Sequence, residues 1–254
     1  MENINVLTLN IHKGFSSGNL RFTLEEIRAQ LRASESNIVF LQEVVGEHAK
    51  HKSTVKNWPE QNQFEYLADS VWNHFAYGKN AIYQHGHHGN AILSEIPFST
   101  SQNVGISLIK FSQRGFLHGI LENGAHALCV HLGLFESERK RQIEKLIQHI
   151  ADTVPSTAPL MLAGDFNDWN RKCHRRLIAK LGLVEAFLSK NNKLAPTFPS
   201  RLPMLAMDRI YTRGFEIHHA EVLAGEQWHT LSDHCPLRAE LKRPLRTELK
   251  RPKR

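Results

Sequence analysis

Short apolar runs that each stop at a polar, chemistry-bearing residue constrain this chain more than any other feature. Leu7-Thr8-Leu9 stops at Asn10, Phe40-Leu41-Gln42 at Glu43, Cys129-Val130 at His131 and Leu162-Ala163-Gly164 at Asp165. Each run has the length of a strand, too short for a helix. Strand ends are where a rigid scaffold presents loop residues to a shared cleft. Glu43 carries the point best, because a buried strand has no use for a carboxylate. Gly164-Asp165-Phe166-Asn167-Asp168 sets an acid and an amide two apart, with Phe166 opposite. Asp208 opens a further strand, and Ser232-Asp233-His234 precedes the last one.

The intervening segments read as more strands punctuated by helices. Leu24, Ile27 and Leu31 share one helical face within Thr23–Ser34. Phe64, Leu67 and Val71 do the same within Asn57–Trp72, where Pro59 suits an early helical position. Ser137–Asp152 is the clearest helix, with Ser137 as its cap, and Asn170–Leu181 is closed by Gly182. Strands are expected at Ala81–Tyr83, Gly89–Leu93, Phe98–Ser107, Gly115–Glu122, His126–Leu132, Pro159–Gly164, Asp208–Tyr211, Phe215–Val222 and Pro236–Leu241. Strands outnumber helices, which fits two packed sheets with helices outside.

Charge divides the chain where composition does not. The formal net charge is +7, and Lys242–Arg254 holds seven basic residues and one acid, or +6, so residues 1–241 carry about +1. The expected organisation is one catalytic body, 1–241, and a basic flexible tail, 242–254. Pro244 and Pro252 argue against a continuous helix in that tail. The tail is suited to touch a polyanion or an acidic membrane surface. No apolar run approaches the ~20 residues that span a bilayer. The start, Met1-Glu2-Asn3, has no basic, apolar or small-residue leader pattern. Cys129, Cys173 and Cys235 include no Cys-x-x-Cys pair. These features together predict a cytoplasmic protein, peripheral to the membrane if the tail binds there.

The strand-end set combines carboxylates (Glu43, Asp165, Asp208, Asp233), amides (Asn10, Asn167) and histidines (His131, His234). Hard oxygen donors without clustered sulfur or imidazole suit Mg2+ or Mn2+ rather than zinc. Phosphate-ester hydrolysis needs such an arrangement: a cation on the phosphoryl oxygens, an oriented water and donors for the added charge.

In chain order, Asn10, Glu43, Gly89-Asn90-Ala91-Ile92-Leu93-Ser94, His131-Leu132, Gly164-Asp165-Phe166-Asn167, Asp208 and Ser232-Asp233-His234 resemble the endonuclease/exonuclease/phosphatase superfamily, over residues 4–241. The resemblance implies a four-layered α/β sandwich, two mixed and mainly antiparallel sheets face to face with helices outside. It implies that Glu43 is the principal Mg2+ ligand, with Asn10 beside it and Asp233 on the metal or its water. Asp165 would orient or deprotonate the attacking water, and Asn167 would contact the phosphate. His234, paired with Asp208, would be base or phosphate-binding cation, and His131 would donate to the phosphoryl oxygen or leaving group. Asn90 and Arg114 are the candidate substrate-binding residues.

Other polar clusters read as scaffold. His85, His87 and His88 sit between glycines and are expected in an exposed loop at the cleft rim. Arg139 and Gln142 face away from Ile143 and Ile147, which predicts a solvated helix face, and Cys235 is expected to fill core space. Val130-His131-Leu132 stands where abasic-site endonucleases resembling this chain carry Pro-Asn-Gly, which lowers that activity in rank. The expectation is a Mg2+-dependent phosphodiesterase on nucleic acid. A phospholipid or inositol-phosphate hydrolase is the alternative enzyme, and an inactive binding protein of the same fold is the alternative outside enzymes.

Overall fold

The computed structural model describes residues 2–107 and 113–243. Among these residues are twelve strands: β1 (Glu2–Asn10), β2 (Ile38–His48), β3 (His74–Tyr83), β4 (Gly86–Ser94), β5 (Phe98–Gly105), β6 (Gly115–Leu121), β7 (His126–His131), β8 (Leu160–Asp165), β9 (Val184–Glu185), β10 (Asp208–Arg213), β11 (Glu216–Val222) and β12 (Leu237–Arg243). They form two six-stranded sheets, ordered β11-β12-β1-β2-β4-β3 and β5-β6-β7-β8-β10-β9. Among the described residues only the β1–β2 and β7–β8 pairs are parallel. The helices are α1 (Leu24–Ala33), α2 (Ala49–Thr54), α3 (Gln63–Ala68), α4 (Glu136–Thr153), α5 (Lys172–Leu181), α6 (Ala186–Asn191) and α7 (Glu226–His229).

Strand parity explains the layers. Alternate residues of a strand point to opposite faces. Ile4 and Val6, Ile38 and Phe40, Ala127 and Cys129, Met161 and Ala163 turn inward and form the core between the sheets. Their neighbours Leu7, Leu9, Val39 and Leu41 pack outward with residues of α1 and α3. Leu128, Val130, Leu160 and Leu162 pack outward with α4 and α5. Strands buried on both faces need such near-continuous apolar runs. Three apolar layers between four structural layers make the expected α/β sandwich.

Three local expectations are corrected. In place of one helix over Asn57–Trp72 there is α3 alone, preceded by the separate α2. Asn62 and Glu65 form a capping box that starts α3 at Gln63, leaving Pro59 in the loop before it. Ser137 does not cap α4. Phe135 holds that position, and Glu136 is already helical. The first turn is anchored instead by Gln142, which accepts the Gly133 N–H at 2.8 Å and donates to Glu138 at 3.0 Å. Finally, β12 continues to Arg243 and pairs Lys242 with Asn3 and Glu216. The body therefore extends two residues past 241, and residues 244–254 lie outside the described ones. Among the described residues no helix is long and apolar enough to cross a membrane.

A buried ion pair ties β10 to the segment after β8. Arg209 Nη1 lies 2.9 Å from Asp168 Oδ2, and both side chains are fully buried. Asp168 also accepts the N–H groups of Cys173 and His174 at the start of α5. Breaking a buried pair leaves an uncompensated charge. Arg209→Met is expected to lower stability by about 3–5 kcal/mol, and adding Asp168→Leu should recover part of it. Urea denaturation of the two variants measures both effects.

Candidate active site

The inward parity of the core continues to the strand ends, and there it becomes polar. Asn10 follows Ile4 and Val6 on β1, His131 follows Cys129 on β7, and Asp165 follows Ala163 on β8. Asp208 precedes Ile210 on β10. All four are buried. β7 and β8 place His131 beside Asp165, and β8 and β10 place Asp165 opposite Asp208. The sequence-expected residues therefore meet in one cleft between the sheets.

Glu43 arrives by a different route. Parity on β2 would send it outward with Val39 and Leu41. A register shift between Leu41 and Val44 interrupts the ladder, and Glu43 adopts φ +57°. A bulge of this kind re-aims a side chain. Lys13 Nζ lies 3.2 Å from Glu43 Oε2. Burial alone would raise the Glu43 pKa, but His131, Lys13 and His88 hold it well below the usual carboxylate range.

Asp165 is the hub. Its Oδ1 accepts the Asn167 N–H at 2.9 Å. Around Oδ2 stand Asn10 Nδ2 at 3.2 Å, His131 Nε2 at 3.4 Å and His234 Nε2 at 3.9 Å. Burial, the strongest influence, and the nearby Asp208 raise its pKa to about 6 against the pull of His234. His234 Nδ1 is 2.7 Å from Asp208 Oδ2. Burial works to lower the His234 pKa, but Asp208, Asp165 and Asp233 outweigh it and raise it to about 10. His131 moves the other way: burial and Arg114 push it well below its ordinary value. One histidine is thus charged and the other neutral within a single cleft.

The remaining expected residues sort by their contacts. Asn167 donates from Nδ2 to Leu132 O at 3.0 Å, leaving its second N–H. Asn90 donates to Gly115 O at 2.9 Å and Cys129 O at 3.3 Å, so its NH2 group joins the two sheets. Arg114 lines a narrow crevice with Asn80, His88, Asn90 and His131. Asp233 Oδ1 lies 3.9 Å from His12 Nδ1.

Two clusters read as scaffold belong nearer the site. His87 and His88 are strand residues of β4, and only His85 sits in the hairpin turn. Burial lowers the His88 pKa to about 4 despite the pull of Glu43, so a neutral imidazole stands beside that carboxylate. Arg139 and Gln142 are buried, not solvated, because both turn back to bond the backbone after β7. Lys13 was not anticipated. Its one signal is position, three residues after Asn10. Cys235 fills buried space as expected.

A model of the Endonuclease/Exonuclease/phosphatase family matches residues 7–234. The uncharacterized protein YbhP of Escherichia coli (strain K12) is 42% identical over 241 residues, spanning 93% of this chain and 95% of YbhP. The structure of an endonuclease/exonuclease/phosphatase from Beutenbergia cavernae DSM 12333 matches with a TM-score of 0.77 at 19% identity, over 95% of this chain and 72% of that one. D. rerio TDP2 complexed with a single-strand DNA product matches at 0.68 and 16% identity, over 95% of this chain and 100% of that one. At these identities the two structures bear on the fold alone. With its sheet order, its inter-sheet cleft and nine-tenths of its length matched, the chain belongs to the Endonuclease/Exonuclease/phosphatase family.

Proposed function

We propose that the chain is a divalent-metal-dependent phosphodiesterase. One observation carries the reading. Asn10, neutral His131 and the Asp208-paired His234 converge on one oxygen of Asp165, in the cleft that also receives Glu43.

The donor set fits a hard cation. Glu43 is an ionised oxygen ligand, and Lys13 supplies the positive charge that a cation there would replace. Among the described residues no three His, Cys, Asp or Glu side chains form a metal cluster. Mg2+ is typically held by one or two carboxylates plus water and substrate oxygens. Glu43 and Asn10 would hold Mg2+ or Mn2+, with Asp233 acting on its water. Bound there, the ion would polarise a phosphoryl oxygen and stabilise the leaving oxygen.

The chain's own groups divide the rest of the work. Asp165, ionised above about pH 6, orients the attacking water and takes its proton. His234 donates from Nδ1 to Asp208 and keeps Nε2–H for a phosphoryl oxygen, as a fixed cation. His131 donates from Nε2 to the leaving group, and the second N–H of Asn167 meets the phosphate. Asn90 and Arg114 line the substrate side. Nucleic acid is one substrate reading, which the basic residues of 242–254 suit. The makeup of the cleft mouth supports a lipid headgroup, as developed below. Three free, buried cysteines accord with a reducing compartment.

Glu43→Gln should cut turnover of a bis-nitrophenyl phosphate by at least about 100-fold. It should also abolish the Mn2+-induced rise in Tm, because an ion that binds only the folded state stabilises it. An unchanged Mn2+ response would remove Glu43 from the metal site.

The pH profile of kcat/KM should rise through about pH 6 as Asp165 ionises and fall towards about pH 10 as His234 loses its proton. Asp208 raises the His234 pKa, so Asp208→Asn should move the alkaline limb to lower pH. His234→Ala, Asp208→Ala and the double variant should lose similar activity, because residues that act as a unit are non-additive. Multiplied losses would break the pairing.

Residues 244–254 hold five of the seven basic residues of the tail. We propose that they add affinity for a polyanionic surface and take no part in the reaction. Truncation after Arg243 should leave turnover of the soluble diester unchanged. It should weaken binding to DNA or anionic vesicles, by an amount that shrinks as salt rises.

A further inference from the structure

Large apolar side chains are exposed unevenly. Of the eleven such residues exposed among the described ones, six lie in three segments next to cleft residues. They are Leu134 and Phe135 after His131, Trp169 after Asn167, and Leu202, Met204 and Leu205 before Asp208. Phe135, Leu202 and Met204 are 65%, 65% and 67% exposed.

These segments are neighbours, held together from beneath by two buried arginines. Arg139 Nη1 donates to Gly133 O at 3.2 Å and to Leu134 O, while its guanidinium stacks 4.5 Å over the Trp169 ring. Arg209 Nη2 donates to Asp168 O at 2.6 Å and Ala206 O at 3.3 Å. Met204 and Leu205 donate their N–H groups to Phe198 O, and the Phe198 ring lies 5.0 Å from His234. The apolar residues therefore form one rim at the mouth of the cleft.

The charge around the rim has one sign. Lys140, Arg171 and Arg201 are exposed in the same segments and make no ion pair among the described residues. The exposed acid there, Glu136, is paired with Lys172. The other two acids, Glu138 and Asp168, are buried.

We propose that this rim is a membrane-docking surface that seats the cleft on an anionic phospholipid bilayer, so that the enzyme draws its phosphodiester from lipid headgroups. The substrate part of this inference rests on the phosphodiesterase reading above. Four of the six, Leu134, Leu202, Met204 and Leu205, offer a nucleic acid neither hydrogen bonds nor stacking faces, whereas the acyl boundary of a bilayer accepts these and the two aromatics alike. Cations among them match anionic headgroups. A protein seated on the same rim would cap the cleft, while a lipid surface presents phosphodiesters just outside the acyl boundary, where the cleft opens.

The test uses the full chain and the triple variant Phe135→Ser, Leu202→Ser, Met204→Ser, with Met204→Ser alone as a milder change. Sedimentation with phosphatidylcholine vesicles, with and without phosphatidylglycerol, measures binding, and Mg2+-dependent hydrolysis of the soluble diester reports an intact cleft. The full chain should bind the anionic vesicles, and the triple variant should bind at least about tenfold more weakly. That gap should persist at about 1 M salt, where charge on the tail is screened. Diester turnover should match between the two. Equal vesicle binding by both proteins overturns the inference, as does loss of single-stranded DNA binding or of a dimer in the triple variant with vesicle binding intact. The two readings fail separately. A protein that binds vesicles through the rim but cleaves no diester loses the reaction and keeps the surface. A protein that cleaves the soluble diester but ignores vesicles keeps the reaction and loses the surface.

Discussion

Face-to-face packing of two sheets sets the terms for everything else in this molecule. An inward position on any central strand faces the opposite sheet, so it must be apolar as long as the interlayer is closed. Ile4, Phe40, Cys129 and Ala163 meet that demand. Where the interlayer opens, the same inward positions can be polar, and the cleft lies there. The change is graded. Thr8 and Gln42 are fully buried one step below the cleft, and Gln42 Nε2 donates to Thr8 Oγ1 and to Cys129 Sγ, each at 3.2 Å. Asn90 then bonds across to carbonyls of the other sheet. A buried polar group must be hydrogen-bonded to avoid a large desolvation penalty. Meeting that requirement also fixes the relative position of the sheets just beneath the cleft.

Environment differentiates two chemically identical histidines. His131 shares its surroundings with Arg114 and neutral His88, and burial leaves it uncharged. His234 is enclosed by Asp208, Asp165 and Asp233, and there the attraction of three carboxylates overcomes burial. Asp165 stands between the two, with its own pKa raised by burial. Neighbouring pKa values pushed apart in this way leave a carboxylate, a neutral imidazole and a fixed cation side by side in one cleft. Ser232 keeps the arrangement in register by donating from Oγ to Asn10 O at 2.6 Å, joining the end of β1 to the segment that carries His234.

How much of this was legible in the sequence depends on the kind of interaction. Period-two alternation is a property of the sequence, so the strands, the layers and the polar strand ends could be read there. The bulge at Glu43 could not. It depends on how β2 pairs with β4, and only the carboxylate's incongruity after Leu41 pointed to it. The Asn62–Glu65 box was readable and was overridden by an apolar spacing that ran too far back. Arg139, Gln142 and Arg209 were hidden for a general reason. Long polar side chains look like solvent contacts in a sequence, but Arg139 and Gln142 turn back onto the Gly133–Leu134 backbone ahead of their own helix, and Arg209 reaches Asp168 from another strand. His87 and His88 looked like loop because glycines flank them, yet Gly89 serves close strand packing: a Cβ there would lie 1.8 Å from Gly78 O.

The two buried arginines explain why the mouth of the cleft can keep so much apolar surface in water. Loops with exposed leucine, methionine and phenylalanine would normally relax and fold those side chains inward. Here their backbones are pinned. Arg139 holds the carbonyls of Gly133 and Leu134, and Arg209 holds those of Asp168 and Ala206. A guanidinium suits this task because its planar fork carries five donors in fixed directions, whereas lysine offers one mobile ammonium. Asp168 balances the Arg209 charge, and the Trp169 face receives that of Arg139. Asp168 and Trp169 are adjacent in sequence, so the two supports meet in one short segment directly after Asn167. The segment that carries Asn167 therefore runs directly into the support of the rim, and the position of the outer surface is tied to that of the cleft.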